Sequence, residues 1–257
     1  MIKPITYFLL SVGLISLLVF MITPSLRNYI IYPAAVSLIG SLLLVAGVVK
    51  VQWSFFAKNF CSIPASVNEI ALTFDDGPHP ETGRLLDILD RYNAKATFFC
   101  IGTQVEKYPG IVKRIIQSGH SIGSHTYNHT WKFTLSSYRE TTTEITRGID
   151  AIEQITGKRT LLFRPPYGIT NPIIGKSIKK NKLVSIGWNI RTFDTTKKHA
   201  DDVFRKVAAE LKPGAVILMH DRLKITVDAV PQVLEEITKR GLITVTIEQA
   251  LKTGHYA

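Results

Sequence analysis

Polar and apolar positions are distributed in two different ways along this chain. Residues 5–22 are apolar apart from Thr6, Tyr7, Ser11 and Ser16, and residues 29–49 are similar, interrupted chiefly by Pro33, Ser37 and Ser41. At about 1.5 Å of rise per residue, each segment predicts a helix able to cross a hydrocarbon core of about 30 Å, the first only barely. Core helices of a soluble domain would carry a polar face, and these carry none. With "TPSLRN" as the turn between them, residues 1–51 read as a two-helix transmembrane hairpin (5–22 and 29–49). A cleavable leader fits less well, because no A-x-A-like site follows the first segment and a second apolar segment does. Residues 52–66 read as a juxtamembrane linker, with Trp53, Phe55 and Phe56 suited to the interface.

From residue 67 to 257 the pattern changes to short apolar runs alternating with amphipathic segments. The runs are "EIALTF", "ATFFCI", "HSIGS", "LLFR", "LVSIGW", "AVILM" and "LITV". The segments between them predict helices. "PETGRLLDILDRY" places Leu85, Leu86, Ile88 and Leu89 on one side. Residues 135–156 place Ile145, Ile149, Ile152 and Ile155 at helical spacing, with Ser136 or Ser137 as a cap. Gly214 and Gly241 punctuate the ends of two more. Strands alternating with helices, without repeated hairpin turns, predict an α/β fold with a parallel sheet and helices outside. A (β/α) barrel and an open doubly wound sheet both satisfy that pattern.

The formal net charge of +11 changes this picture little, since the first sixty residues hold four basic side chains and no acid. The remaining excess suits a solvated face or an anionic surface, and no basic-aromatic motif points to nucleic acid. Cys61 and Cys100 have neither CxxC spacing nor a disulfide framework, and Cys100 in "ATFFCIG" reads as a small buried hydrophobe.

The candidate chemistry collects at one place in the pattern. Asp75 and Asp76 end the first run, His125 and His129 follow the third, and Arg164 ends the fourth. Asp194 follows the fifth and His220 ends the sixth. In a (β/α) barrel the C-terminal strand ends are where reactive side chains meet. His125 and His129 stand at i and i+4, so one helical turn would bring both imidazoles to one face. With a carboxylate they make a two-His, one-Asp set that leaves coordination positions open, as catalytic metal sites require. The adjacent aspartates can then divide their labour, one binding the cation and one accepting a proton.

Taken in order, "TFDDGP", "SHTYNH", "RPPYG", the Trp188–Asp194 stretch and "LMHD" resemble the five motifs of the NodB-homology polysaccharide deacetylases, carbohydrate esterase family 4. The resemblance covers roughly residues 69–251. It implies a distorted (β/α)7 barrel and metal-dependent removal of N-acetyl groups from amino sugars. It also implies Asp75 as general base, Asp76, His125 and His129 as ligands of one divalent ion, and His220 as general acid. Zinc is the default ion; cobalt or nickel fits the same ligands. Arg164 would orient the base, Asp194 the acid. The backbone at Tyr167 would help form an oxyanion hole, and Leu218 would line the acetyl pocket, with Pro166 and Trp188 also touching substrate.

The motifs depart from the family at Thr130, where a proline is usual, at Arg191, where an acid is usual, and at Thr195, where a tryptophan is usual. His79 reads as shaping the metal-site turn, His120, His199 and His255 as surface or satisfied histidines, and Asp221 as fixing its loop. Tyr127, Asn128 and Trp131 read as either packing or sugar-facing. The pattern "FFCIGTQVEKYP…GHSIGSHTYNH" is similar to bacterial cell-wall enzymes, which implies peptidoglycan N-acetylglucosamine as substrate. A polyprenyl-phosphate-linked amino sugar is the alternative, and an inactive carbohydrate-binding relative a remote one. Lys3, Lys50 and Lys58 against the single Arg27 favour a cytoplasmic catalytic domain by the positive-inside rule. The cell-wall resemblance implies the reverse. The expectation is a two-span protein of the bacterial cell membrane with its catalytic domain outward.

Overall fold

The computed structural model describes residues 10–15, 17–18, 21, 27–63 and 68–252. All seven predicted apolar runs contain strands: β2 (Glu69–Asp75), β3 (Ala96–Cys100), β4 (Ser121–Ser124), β5 (Leu162–Phe163), β6 (Val184–Ile186), β8 (Val216–His220) and β9 (Ile243–Thr244). Two further strands, β1 (Asn59–Phe60) and β7 (Ile190–Arg191), were not legible in the pattern. Every pairing is parallel, in the order β1-β6-β5-β4-β3-β2-β8-β7, with β9 beside β2. The sheet curls as the predicted (β/α)7 barrel requires, but β1 and β7 at its two ends do not pair with each other. It is a half-barrel, open at one side.

The helices outside the sheet follow the predicted faces. Leu85, Leu86, Ile88 and Leu89 of Pro80–Arg91 are all buried, as are Ile145, Ile149 and Ile152 of Tyr138–Thr156. Ser137 caps the latter in a reciprocal box with Glu140. Helices Gly102–Lys107, Pro109–Gln117 and Pro172–Lys180 complete the layer before Ala200–Glu210, Lys224–Lys239 and Ile247–Lys252. Cys100 is fully buried among the core side chains, and burial pushes its thiol well up.

The N-terminal region differs from its prediction. Among the described residues no helix is long and apolar enough to cross a membrane. Half of segment 5–22 and residues 23–26 of the turn after it lie outside the described residues, so the predicted two-span hairpin has no support from the fold. The second segment is a helix, α1 (Arg27–Val49), whose Val36, Leu38, Ile39, Leu42, Leu43 and Val45 are exposed.

Of residues 52–66, read as a linker, 52–63 are described, and together with Val51 they pack against the domain. Val51 is buried, and Asn59–Phe60 adds the edge strand to β6. The Asn59 amide donates to the carbonyls of Val51 (3.1 Å) and Ala57 (2.8 Å) and accepts from the Ser185 hydroxyl (2.6 Å). Gly175 lets this strap lie against Pro172–Lys180, because a Cβ there would fall 2.1 Å from the Phe56 carbonyl oxygen. Two bonds tie the strap and α1 to loops of the domain: Thr170 N–H to the Val48 carbonyl (3.1 Å) and the Gln52 amide to the Trp188 carbonyl (3.0 Å).

Candidate metal and catalytic site

The parallel sheet brings the strand-end side chains to one cleft of about 440 Å³. Asp75 is the last residue of β2, and the left-handed backbone of Asp76 (φ 76°) turns the second carboxylate beside the first. Their mutual repulsion is relieved by separate partners. Asp75 Oδ1 accepts from Arg164 Nη1 at 2.7 Å, and Asp76 Oδ2 accepts from Arg222 Nε at 2.9 Å.

Arg164 is fully buried, and each end of its guanidinium is used. Besides Asp75, it donates to the Thr73 hydroxyl (2.8 Å) and to the carbonyls of Ile186 (3.2 Å) and Gly187 (2.9 Å), while its Cζ lies 4.1 Å from the Phe99 ring centroid. A buried arginine so satisfied is a rigid support for the carboxylate it holds.

His125 and His129 do come together, their ring centroids 4.6 Å apart, but not on a helix. Residues 125–130 form a loop whose Thr126 (φ 69°) and His129 (φ 52°) are left-handed. The i, i+4 spacing was right and the helical turn inferred from it was not. The His125 Nδ1–H donates to the Arg164 carbonyl at 2.7 Å, which leaves Nε2 facing the carboxylates.

His125 Nε2 and His129 Nε2 lie 3.8 and 3.7 Å from Asp76 Oδ1, and these three ligand atoms are all within 4.8 Å of one another. Those separations are too long for hydrogen bonds. A tetrahedral cation with ligands at roughly 2.0–2.1 Å would hold its donors about 3.4 Å apart, so the set fits a divalent ion with little adjustment. Asp75 Oδ2 lies 3.7 Å from His125 Nε2, beside that position. Burial alone would raise the Asp76 carboxyl, but the imidazoles of His125, His129 and His220, with Arg222, outweigh it and hold it low. Burial and the neighbouring His125 push His129 down to about 4, leaving a neutral imidazole suited to ligation.

His220, at the end of β8, faces this group across the cleft. Its Nδ1 bonds to Asp194 Oδ1 at 2.8 Å; Asp194 Oδ2 accepts from the His220 backbone N–H (2.8 Å) and the Thr226 hydroxyl (2.7 Å). Burial disfavours the imidazolium, yet the Asp194 carboxylate more than compensates and raises His220 above its ordinary value.

The remaining predicted residues line the same cleft or support it. Tyr167, in a left-handed conformation (φ 61°), stands 4.9 Å from the His129 ring. Pro166 is buried beneath it. Leu218 and Trp188 form the apolar wall. Trp188 packs onto Gly168 (φ 68°), where a Cβ would meet the ring at 2.4 Å. Asp221 is fully buried, accepts from the Thr82 hydroxyl (2.7 Å) and is pushed up to about 7 by burial. His79 caps Pro80–Arg91 through Nδ1. His120 is buried rather than at the surface, accepting from Ala96 N–H; His199 precedes Ala200–Glu210, and His255 lies outside the described residues. Tyr127 packs under Arg147 and donates to Glu106, Asn128 is held by Glu144, and Trp131 is exposed.

The sequence reading missed Arg222, Thr73 and Gln52. Arg222 follows "LMHD" directly and was within reach of inspection. The other two act through partners 91 to 144 positions away, which no local pattern reveals.

Comparison with known proteins shows the family to which the chain belongs. The polysaccharide deacetylase family profile matches residues 63–186. A peptidoglycan-N-acetylglucosamine deacetylase of Bacillus cereus is 35% identical over 199 residues, covering 75% of this chain and 92% of its own length. The peptidoglycan-N-acetylglucosamine deacetylase PgdA of Listeria monocytogenes is 39% identical over 181 residues; the match spans 70% of this chain but only 38% of that protein. The crystal structure of the Bc1960 peptidoglycan N-acetylglucosamine deacetylase superposes with a TM-score of 0.70 at 33% identity, covering 75% of this chain and 92% of that one.

Proposed function

Because the chain belongs to the polysaccharide deacetylase family, we propose that it is a metal-dependent hydrolase removing N-acetyl groups from peptidoglycan N-acetylglucosamine. The observation that carries this reading is the convergence of Asp76, His125 and His129 beside the Arg164-held Asp75, with the Asp194-held His220 across the cleft.

The metal would be held by Asp76, His125 and His129 and would supply Lewis acidity that polarises the amide carbonyl and acidifies water. Zinc fits two imidazoles and one carboxylate, and cobalt or nickel would fit them too. The chain's own groups do the rest. Asp75, fixed by Arg164, accepts the proton of the attacking water. The backbone at Tyr167 faces the developing oxyanion, and Leu218 with Trp188 encloses the acetyl methyl. His220 delivers a proton to the nitrogen, which must leave as an amine, and Asp194 keeps it protonated for that step.

The exposed apolar side chains of α1 support a place at the cell membrane, with the cleft facing the wall outside. Acetate release from an N-acetylglucosamine tetramer and from intact peptidoglycan, with and without added zinc, tests the activity. The reading expects zinc-dependent release from both, and no release under any metal would reject it.

A further inference from the structure

Two arginines stand at the mouth of this cleft, on opposite sides of His220. Arg191 ends β7, paired with Leu218 of β8, and Arg222 follows β8 by two residues. Since β8 lies between β2 and β7, Arg222 reaches toward the β2 side, where its Nε binds Asp76, and Arg191 lies on the β7 side. Both line the cleft. Arg222 uses only its Nε in the bond to Asp76 and is 45% exposed. Arg191 has no carboxylate partner among the described residues. Its guanidinium rests 5.0 Å from the Phe193 ring centroid and 5.8 Å from that of Trp188. Two aromatic faces hold it at the cleft without neutralising it.

A guanidinium so held offers paired N–H donors that match the oxygens of a phosphate or carboxylate. A neutral glycan leaves this charge unanswered; an anionic one answers it. His220 protonates the sugar nitrogen in the proposed reaction, so cations flanking His220 lie against the sugar and its substituents rather than the acetyl group. Arg191 also stands where the resembled motif carries an acid, a reversal of charge at the same rim.

We infer that Arg191, supported by Arg222, selects an amino sugar that carries an anionic oxyacid group close to its acetamido group. The inference rests on the deacetylase reading. Two sources share that chemistry: the free lactyl carboxylate of a neighbouring muramic acid that has lost its peptide, and the phosphate of a lipid-linked sugar.

The test compares kcat/KM of the zinc-loaded full chain on three substrates. They are a neutral N-acetylglucosamine tetramer, a tetrasaccharide of equal length alternating with N-acetylmuramic acid, and N-acetylglucosamine diphosphate on a short, soluble polyprenol. At least one charged substrate is expected to exceed the neutral one by about 10-fold, and Arg191→Gln to bring that ratio close to one, mainly through KM. Arg191→Lys should retain part of the preference, and added salt should erode it. Whichever charged substrate carries the preference identifies the source. A native ratio of one or less, or a ratio that survives Arg191→Gln, overturns the inference while leaving the deacetylase intact. Failure to turn over any of the three rejects the deacetylase reading and the inference with it.

Discussion

Asp75 and Asp76 are neighbours in sequence with different tasks in the proposed reaction, and substitution separates them. His125→Ala removes one of three ligands and, with it, the bond that orients Arg164's carbonyl; bound zinc and turnover should be lost together. Asp75→Asn leaves all three ligands in place, so zinc measured by plasma emission should stay near one per chain while kcat falls by about 10²–10⁴. An Asp75→Asn protein empty of metal would mean that Asp75 is itself a ligand. Asp194 carries a second prediction. Its carboxylate raises His220 against the opposing effect of burial. The general acid works protonated, so kcat/KM falls as pH rises through its pKa. Asp194→Asn removes the support, burial prevails, and this descending limb should move to lower pH; a limb that stays put would assign the acid elsewhere.

The residues that carry this chemistry were legible because each ends an apolar run or follows one closely, always at the same end of the strand. The backbone that aims them was not. The left-handed Thr126 and His129 are imposed by the packing of a whole loop, and the same five letters serve equally well as a helical turn. Arg222, directly after "LMHD", stood within reach of inspection by its position, and only its bond to Asp76, 146 positions away, is not local.

Among the elements, the seven strands inside apolar runs announced themselves, even the two-residue β5 and β9, and β1 and β7 did not. Neither sits in an apolar run of its own, and β1 lay in a stretch whose aromatic residues suggested a membrane interface. Yet β1 is well supported. The buried Asn59 side chain satisfies two carbonyls and one hydroxyl, all of which lose their partner in Asn59→Ala. Stability should fall by about 2–3 kcal/mol, read from the urea midpoint, since buried polar groups left unpaired cost more than the bonds themselves contribute. Because the strap also touches Trp188 through Gln52, kcat should fall along with stability, whereas a freely hanging linker would leave both unchanged.

For the molecule as a whole, the proposed place at the membrane has two orientations, and the charge pattern and the wall-enzyme resemblance point opposite ways. Alkaline phosphatase fused after Ala257 should be active if the cleft faces outward. A silent phosphatase beside an active cytoplasmic reporter would place the cleft inside, with substrates of the inner leaflet.

The bonds from Val48 to Thr170 and from Gln52 to Trp188 have a consequence for reach. An enzyme on a slack leash samples a hemisphere of wall; one welded to its anchor addresses a single altitude. With α1 seated in lipid, the cleft would be confined to a layer about one domain across, given a radius of gyration of roughly 16 Å for a domain this size. Glycan strands laid down further out would pass beyond it once they had moved away from the membrane. Acetyl groups would then be removed from young strands only, and the modification would record when a strand was made. Inserting about 20 Gly/Ser residues after Val49 adds a span of roughly 25 Å. The deacetylated fraction of mature wall should rise in that variant while turnover of a soluble tetramer holds steady; an unchanged wall would show that the anchor does not set the range.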